Sequence, residues 1–94
     1  MQSNPILREF LLYQNFPNPF NSATKIRYTI TKPTKVNLSV FDITGKKVAE
    51  LINTNQTAGH YEITYEPKNL ATGCYFYRMK VGQFSKIKKM LFLK

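Results

Sequence analysis

Lys25-Ile26-Arg27-Tyr28-Thr29-Ile30-Thr31 decides the fold class of this chain. Ile26, Tyr28 and Ile30 fall on one side of an extended backbone, and Lys25, Arg27, Thr29 and Thr31 on the other. Successive side chains of a strand point to opposite faces, so strict alternation predicts a strand with one face buried. Lys35 to Val40 repeats the pattern with Val36, Leu38 and Val40, and His60 to Glu66 repeats it with Tyr61, Ile63 and Tyr65. Further out, Gly73 to Val81 and Phe84 to Leu93 are longer apolar-rich strands split only by Gly82-Gln83, the mark of a tight hairpin. Asp42-Ile43-Thr44-Gly45 supplies a turn, with Asp to bond the backbone and Gly to take positive φ. Lys46 to Asn53 is ambiguous. Val48, Leu51 and Ile52 have helical spacing, but the segment is short, lacks a strong N-cap and lies between strands; it is read as a strand. Strands are therefore expected at 10–14, 25–31, 35–41, 46–53, 59–66, 73–81 and 83–93. Short strands at this spacing imply a two-sheet sandwich or a barrel.

The 94 residues suit one domain, and a 43% hydrophobic content argues against disorder. A single cysteine, Cys74, excludes an intrachain disulfide and any Cys-based zinc site. No apolar run approaches the roughly 18–20 residues of a membrane span. The first residues do not read as a signal peptide, because a basic start is lacking and Arg8 and Glu9 interrupt the apolar stretch. Either the protein is not secreted or its leader lies upstream of Met1. Residues 1–9 are read as a linker or expression remnant.

Enzymatic chemistry is thin. His60 is the sole histidine, on the outward side of its strand, and the five acids are scattered. A nucleophile, base and orienter cannot be assembled from these, and no carboxylate cluster has metal-ligand spacing. Cys74 alternates against Tyr75 and reads as a small packed side chain. No cofactor or metal is expected. Asn37-Leu38-Ser39 and Asn55-Gln56-Thr57 match the N-glycosylation pattern, a weak signal.

The charge says more. The net charge is +9, and Pro67 to Lys94 holds no acid but carries Lys68, Arg78, Lys80, Lys86, Lys88, Lys89 and Lys94. Basic residues interleaved with aromatics suit single-stranded nucleic acid, but they equally suit a solvated edge strand whose lysines oppose aggregation. Gly73-Cys74-Tyr75-Phe76-Tyr77 lacks the Lys or Arg that an RNA-binding strand motif needs before its glycine, where Thr72 stands. No specific nucleic acid is expected. Lys89 shares its alternation with Ile87, Leu91 and Leu93, which reads as a charge in an apolar register; a bulge or a snorkelling stem is expected there.

Leu12-Tyr13-Gln14-Asn15-Phe16-Pro17-Asn18-Pro19-Phe20-Asn21 strongly resembles the start of the type A C-terminal sorting domains of the type IX secretion system. The resemblance continues in order through Thr24–Tyr28, Leu38–Val48 with its Asp-x-x-Gly turn, Ala58–Tyr61, Leu70–Arg78 with its Gly-x-Tyr, and the basic-apolar Lys88–Lys94. Cys74 stands where the family usually has an aliphatic residue, and Tyr65-Glu66 replaces a frequent Trp-Asp pair. The resemblance implies an all-β, immunoglobulin-like sandwich of about seven antiparallel strands over residues 10–94. It also implies a non-enzymatic export signal that carries an upstream passenger to the cell surface or medium by way of the periplasm. The implied partners are the outer-membrane machinery and a surface sortase. Gly73, Tyr75, Lys88, Lys89 and Lys94 are the expected recognition residues, with Gly73 giving room for a turn or close approach and Tyr75 a ring with one wet end. The terminal strand is expected to offer an open edge to a partner sheet. The alternative is an immunoglobulin-like structural or adhesion module without a sorting role. Position separates the two, since a sorting domain is expected to end its chain, as the matched stretch does at Lys94.

Overall fold

In the computed structural model, which describes residues 10–94, β3 (Thr34–Asp42) is central to the larger of two sheets. The linker expected at 1–9 lies outside the described residues. β3 pairs antiparallel with β4 (Lys47–Gln56) on one side and β6 (Gly73–Val81) on the other, and β7 (Phe84–Phe92) closes the order β4-β3-β6-β7. The second sheet has the order β1-β2-β5, from β1 (Phe10–Leu12), β2 (Thr24–Ile30) and β5 (Gly59–Tyr65). All pairings between strands are antiparallel. This is an immunoglobulin-like sandwich, as expected.

The alternating residues supply the core. Ile26, Tyr28 and Ile30 face Val36, Leu38 and Val40 across the sandwich, joined by Tyr77, Met79, Met90 and Phe92 from the last two strands. Tyr28 is buried, stacks on Tyr61 at 5.3 Å and donates its hydroxyl to Gln56 of β4 at 2.7 Å, which ties the two sheets at one end. Burial raises its pKa, the bond to Gln56 opposing that shift.

β4 explains its own ambiguity. Its pairing with β3 skips Leu51 and Val48, so two extra residues are absorbed by irregularities in register. Each shift reverses the facing of the residues beyond it. Val48, Ala49, Leu51 and Ile52 thereby all pack against the core, which gives a strand the three-to-four spacing of a helix.

The turn at Asp42 forms as read. Gly45 has φ 91°, and the Asp42 carboxylate accepts from the Thr44 hydroxyl at 2.6 Å and from the N–H groups of Thr44 and Lys46 at 2.9 and 3.0 Å. The Thr44 hydroxyl and the Lys46 N–H hold its pKa below the ordinary value. Gly82, with φ 60°, takes the first central place of the two-residue β6–β7 turn. That is the glycine position of a II′ turn, whose twist suits flanking strands.

Truncating Leu38, fully buried at the centre of β3, leaves a cavity that its neighbours close only in part. Leu38→Ala is expected to cost about 2–5 kcal/mol, read as a lower denaturant midpoint at unchanged slope.

Candidate recognition site

The β6–β7 hairpin runs in unbroken register from Gly73 opposite Phe92 to Val81 opposite Phe84. That register corrects the reading of Lys89. Tyr75, Tyr77 and Met79 point into the core, so their partners Met90, Lys88 and Lys86 are the inward row of β7. Ile87, Lys89, Leu91 and Leu93 belong to the outer face, with Ile87 60% and Leu93 44% exposed. No bulge is needed, and Lys89 lies exposed opposite Phe76. The alternation misled because Met90-Leu91-Phe92-Leu93 is apolar on both faces, which hides which face is inside.

The inward charges are Lys86 and Lys88. Lys88 is half-buried, and the Lys86 ammonium sits 5.8 Å from the centre of the Phe10 ring. Inward-pointing lysines on an edge strand let the stems cover apolar surface while the heads reach water, and they discourage edge pairing.

Tyr75 is 7% exposed, and its hydroxyl donates to the Ala71 carbonyl at 2.6 Å. A tyrosine near the start of the sixth strand, bonded back to the loop before it, has the form of the tyrosine corner of immunoglobulin-like sandwiches. Its tip is thus tied to its own loop. Gly73 does not have the steric role expected of it. Its φ is outside the left-handed range, and a Cβ there would meet nothing within 4 Å. Lys94 is exposed, and its N–H donates to the Thr72 hydroxyl at 2.8 Å. The five expected residues therefore share one hairpin and its end but form no cluster: Tyr75 and Lys88 are on the inner face, Lys89 on the outer, and Lys94 beyond the strand.

The segment Gln14–Phe20, too proline-rich for a helix or a central strand, is fastened to this hairpin. The Gln14 amide donates to the Lys89 carbonyl at 2.7 Å, and the Leu91 N–H donates to the Asn18 side-chain carbonyl at 2.9 Å. Phe20 N–H donates to Leu91 C=O at 3.0 Å and Leu93 N–H to Phe20 C=O at 2.9 Å, a short parallel pairing along the outside of β7. The Phe20 ring is buried against Phe92, centroids 5.2 Å apart. The other end of the segment holds the smaller sheet, where Phe16 exchanges two backbone bonds with Lys25. Both prolines, Pro17 and Pro19, follow cis peptide bonds.

Buried polar groups fix this clasp. Asn15, 2% exposed, donates its amide to the Thr24 hydroxyl at 2.9 Å and the Pro17 carbonyl at 3.2 Å, while accepting from Gln14 at 2.7 Å. Thr24 in turn donates to the Pro17 carbonyl. The Tyr77 hydroxyl donates to the Tyr13 carbonyl and accepts from the Asn15 N–H, both at 2.8 Å. Burial pushes its pKa up to about 12, the Asn15 bond working against that shift. The edge of β7 is thus closed from Lys89 to Leu93, contrary to the open edge expected. Among the described residues, no strand pairs with its outer side from Phe84 to Lys88.

Tyr77, Asn15 and Asn18 were not legible as site residues, since their partners are distant in sequence. The available signal was one motif holding two asparagines, two prolines and two phenylalanines. His60 is exposed, with Nδ1 2.8 Å from the Thr29 hydroxyl, and Cys74 is half-buried and free. No group of His, Cys, Asp and Glu able to hold a metal occurs among the described residues.

Comparison with known families matches residues 14–93 to the secretion system C-terminal sorting domain. Among solved structures, the chain is similar to part of dimeric latent PorU from Porphyromonas gingivalis, with 20% identity and a TM-score of 0.70 over 89% of this chain. It is also similar to part of the alkylpurine DNA glycosylase AlkC from Pseudomonas fluorescens, solved with DNA containing an abasic site analog, at 12% identity and TM-score 0.61 over 95% of this chain. The matched regions are 9% and 32% of those longer chains, and at these identities the likeness is one of fold. No curated protein matches.

Two outcomes follow from the tyrosines. Tyr75→Ala is expected to lose about 3–5 kcal/mol, as for other buried aromatic truncations, with Tyr75→Phe losing only about 0.5–1.5 kcal/mol for the hydroxyl bond. Comparing their denaturant midpoints checks the assignment. For Tyr77 the folded pKa is above the unfolded one, so its contribution is complete below pH 10 and is lost as pH rises toward 12. Tyr77→Phe is expected to be less stable than the parent at neutral pH by about 1–3 kcal/mol, with the gap narrowing over that alkaline window.

Proposed function

The chain belongs to the family of secretion system C-terminal sorting domains, and from that premise we propose that its β6–β7 hairpin, held by the Gln14–Phe20 clasp, is the element read by the type IX export machinery. The family is one of sorting signals, so the chemical activity of the whole precursor belongs to its passenger. A passenger joined ahead of the domain is carried across the periplasm and outer membrane, then meets a surface sortase. Export to the cell surface or medium is the destination that family membership implies.

The observation that carries the reading is the clasp on β7. An export signal has to stay folded in transit while keeping something for a receptor to grip. Gln14, Asn18 and Phe20 satisfy the backbone of β7 from Lys89 to Leu93. The part of β7 nearest the hairpin turn keeps an unpaired outer edge, and extended edges are read by strand addition. Lys88 and Lys89 stand where the covered and uncovered halves meet, one on each face, so a partner following the open edge encounters both. Lys94 and the Pro17–Pro19 segment line a shallow groove at the far end, a second place for contact. Tyr75 acts through folding of the hairpin and its loop.

The test is a reporter passenger fused ahead of this chain in a host with the secretion system. Lys88→Gln with Lys89→Gln removes both charges and keeps length and polarity. Folding is expected to change by less than about 1 kcal/mol, while surface delivery falls and folded precursor accumulates in the periplasm. Normal delivery of the double variant would remove these lysines from recognition.

A further inference from the structure

The outer face of the larger sheet has an uneven composition. A solvated sandwich face is commonly polar, and a contiguous apolar patch on it marks an interaction surface. Here the turn at one end brings apolar groups together: Phe41, Ile43, Phe76 and Ile87 line a shallow groove of about 270 Å³ together with Asp42, whose carboxylate is taken up by the Thr44 hydroxyl and the Thr44 and Lys46 N–H groups. Ile43 is 71% exposed. Alongside it, Lys35, Lys47, Arg78 and Lys80 line an open groove of about 400 Å³ with Asn37 and Asn53. Arg78 lines both grooves.

Pairing explains the juxtaposition. Across the outer face, Phe41 is opposite Phe76, Ser39 opposite Arg78, and Asn37 opposite Lys80. Arg78 is next opposite Ile87, and Lys80 opposite Ser85. The rows therefore grade from aromatic to cationic. The Arg78 guanidinium lies 4.7 Å above the centre of the Phe41 ring, which fixes its plane. Its Nε is buried without a hydrogen-bond partner among the described residues. Glu50 is the carboxylate on the cationic side, and it is engaged by Lys47 at 3.5 Å and Asn37 at 2.8 Å. Neither Lys35, Arg78 nor Lys80 has an ion-pair partner in the described chain.

We propose that this face docks on an anionic phospholipid surface, with Lys35, Arg78 and Lys80 on headgroup phosphates and Ile43 and Ile87 entering the interfacial layer beside them. The inference stands apart from the reading of β7. Three observations select this occupant. Exposed aliphatic side chains next to unpaired cations are what an interfacial site requires, since apolar burial and attraction to anionic headgroups add. Both grooves are shallow and open, which suits a planar surface. A second copy of the chain is disfavoured, because a +9 protein would bring like charges together.

The experiment is co-sedimentation of the 94-residue chain with vesicles of phosphatidylcholine alone or with about one third phosphatidylglycerol, at low and physiological salt. Binding is expected only with the anionic vesicles. Lys35→Gln with Lys80→Gln should weaken partitioning roughly tenfold or more, at about 1 kcal/mol per cation near the surface. Ile43→Ser with Ile87→Ser should weaken it severalfold with no loss of charge. Lys25→Gln with Arg27→Gln, two cations on the exposed row of β2 in the other sheet, is the matched control and should change partitioning less than about twofold. Thermal midpoints confirm that each variant is folded. Equal loss in the control pair, equal binding to neutral vesicles, or no vesicle binding would each overturn the proposal, the last pointing to an acidic protein as occupant. None of these readouts involves export, so failure here leaves the sorting reading standing.

Discussion

The Tyr77 hydroxyl, donating to the Tyr13 carbonyl and accepting from the Asn15 N–H, is the contact on which the terminal half of this sandwich depends. It is fully buried, and the buried Asn15 N–H would be stranded without it. It fixes where the chain leaves β1, and that fixes the rest. Asn15 can reach Thr24 and the Pro17 carbonyl, Phe20 can enter the core beside Phe92, and Asn18 can meet the Leu91 N–H. One short segment thereby bridges the smaller sheet, through Phe16 and Lys25, and the edge of the larger one.

This arrangement divides β7 in two. Its far half is covered by its own chain, with the ladder groups satisfied and little left to template aggregation. Its near half relies on inward lysines, Lys86 and Lys88, for the same protection. On the proposed reading, the division lets the domain remain folded in transit and still present an edge. The outer face adds a different surface, where the row containing Arg78 separates apolar from cationic side chains. Edge and face meet along β7, so strand addition at one and lipid contact at the other need not compete.

Much of the fold was legible because period-two alternation in β2, β3 and β5 is a one-face-buried signal with few competitors. Its limits were local. In β4 the register irregularities at Leu51 and Val48 gave apolar residues a helix-like spacing, and only the short length, the absence of a strong cap and the flanking strands argued for a strand. In β7 a run apolar on both faces concealed the register. Lys89 then read as belonging to the apolar row although it is on the outer one, while Lys88 and Lys86 are on the inward row. The clasp was opaque to periodicity altogether. Its bonds to β6 and β7 span more than sixty residues, as between Asn15 and Tyr77, and no local pattern encodes them. Gly73 shows the opposite hazard: its prominence in the motif suggested a steric need that the open space around it does not support.

Native-state amide exchange, resolved by residue, tests the division of β7 most directly. The Leu91 and Leu93 amides point away from β6 and bond only to the clasp, at Asn18 and Phe20. The account predicts that both are protected to the level of the β3 amides, since clasp and core open together. The outward Ile87 amide on the same edge is predicted to exchange far faster. Rapid exchange at Leu91 and Leu93 would mean that the clasp opens independently of the core, and protection at Ile87 equal to theirs would mean that the edge is not divided; either result would contradict the account.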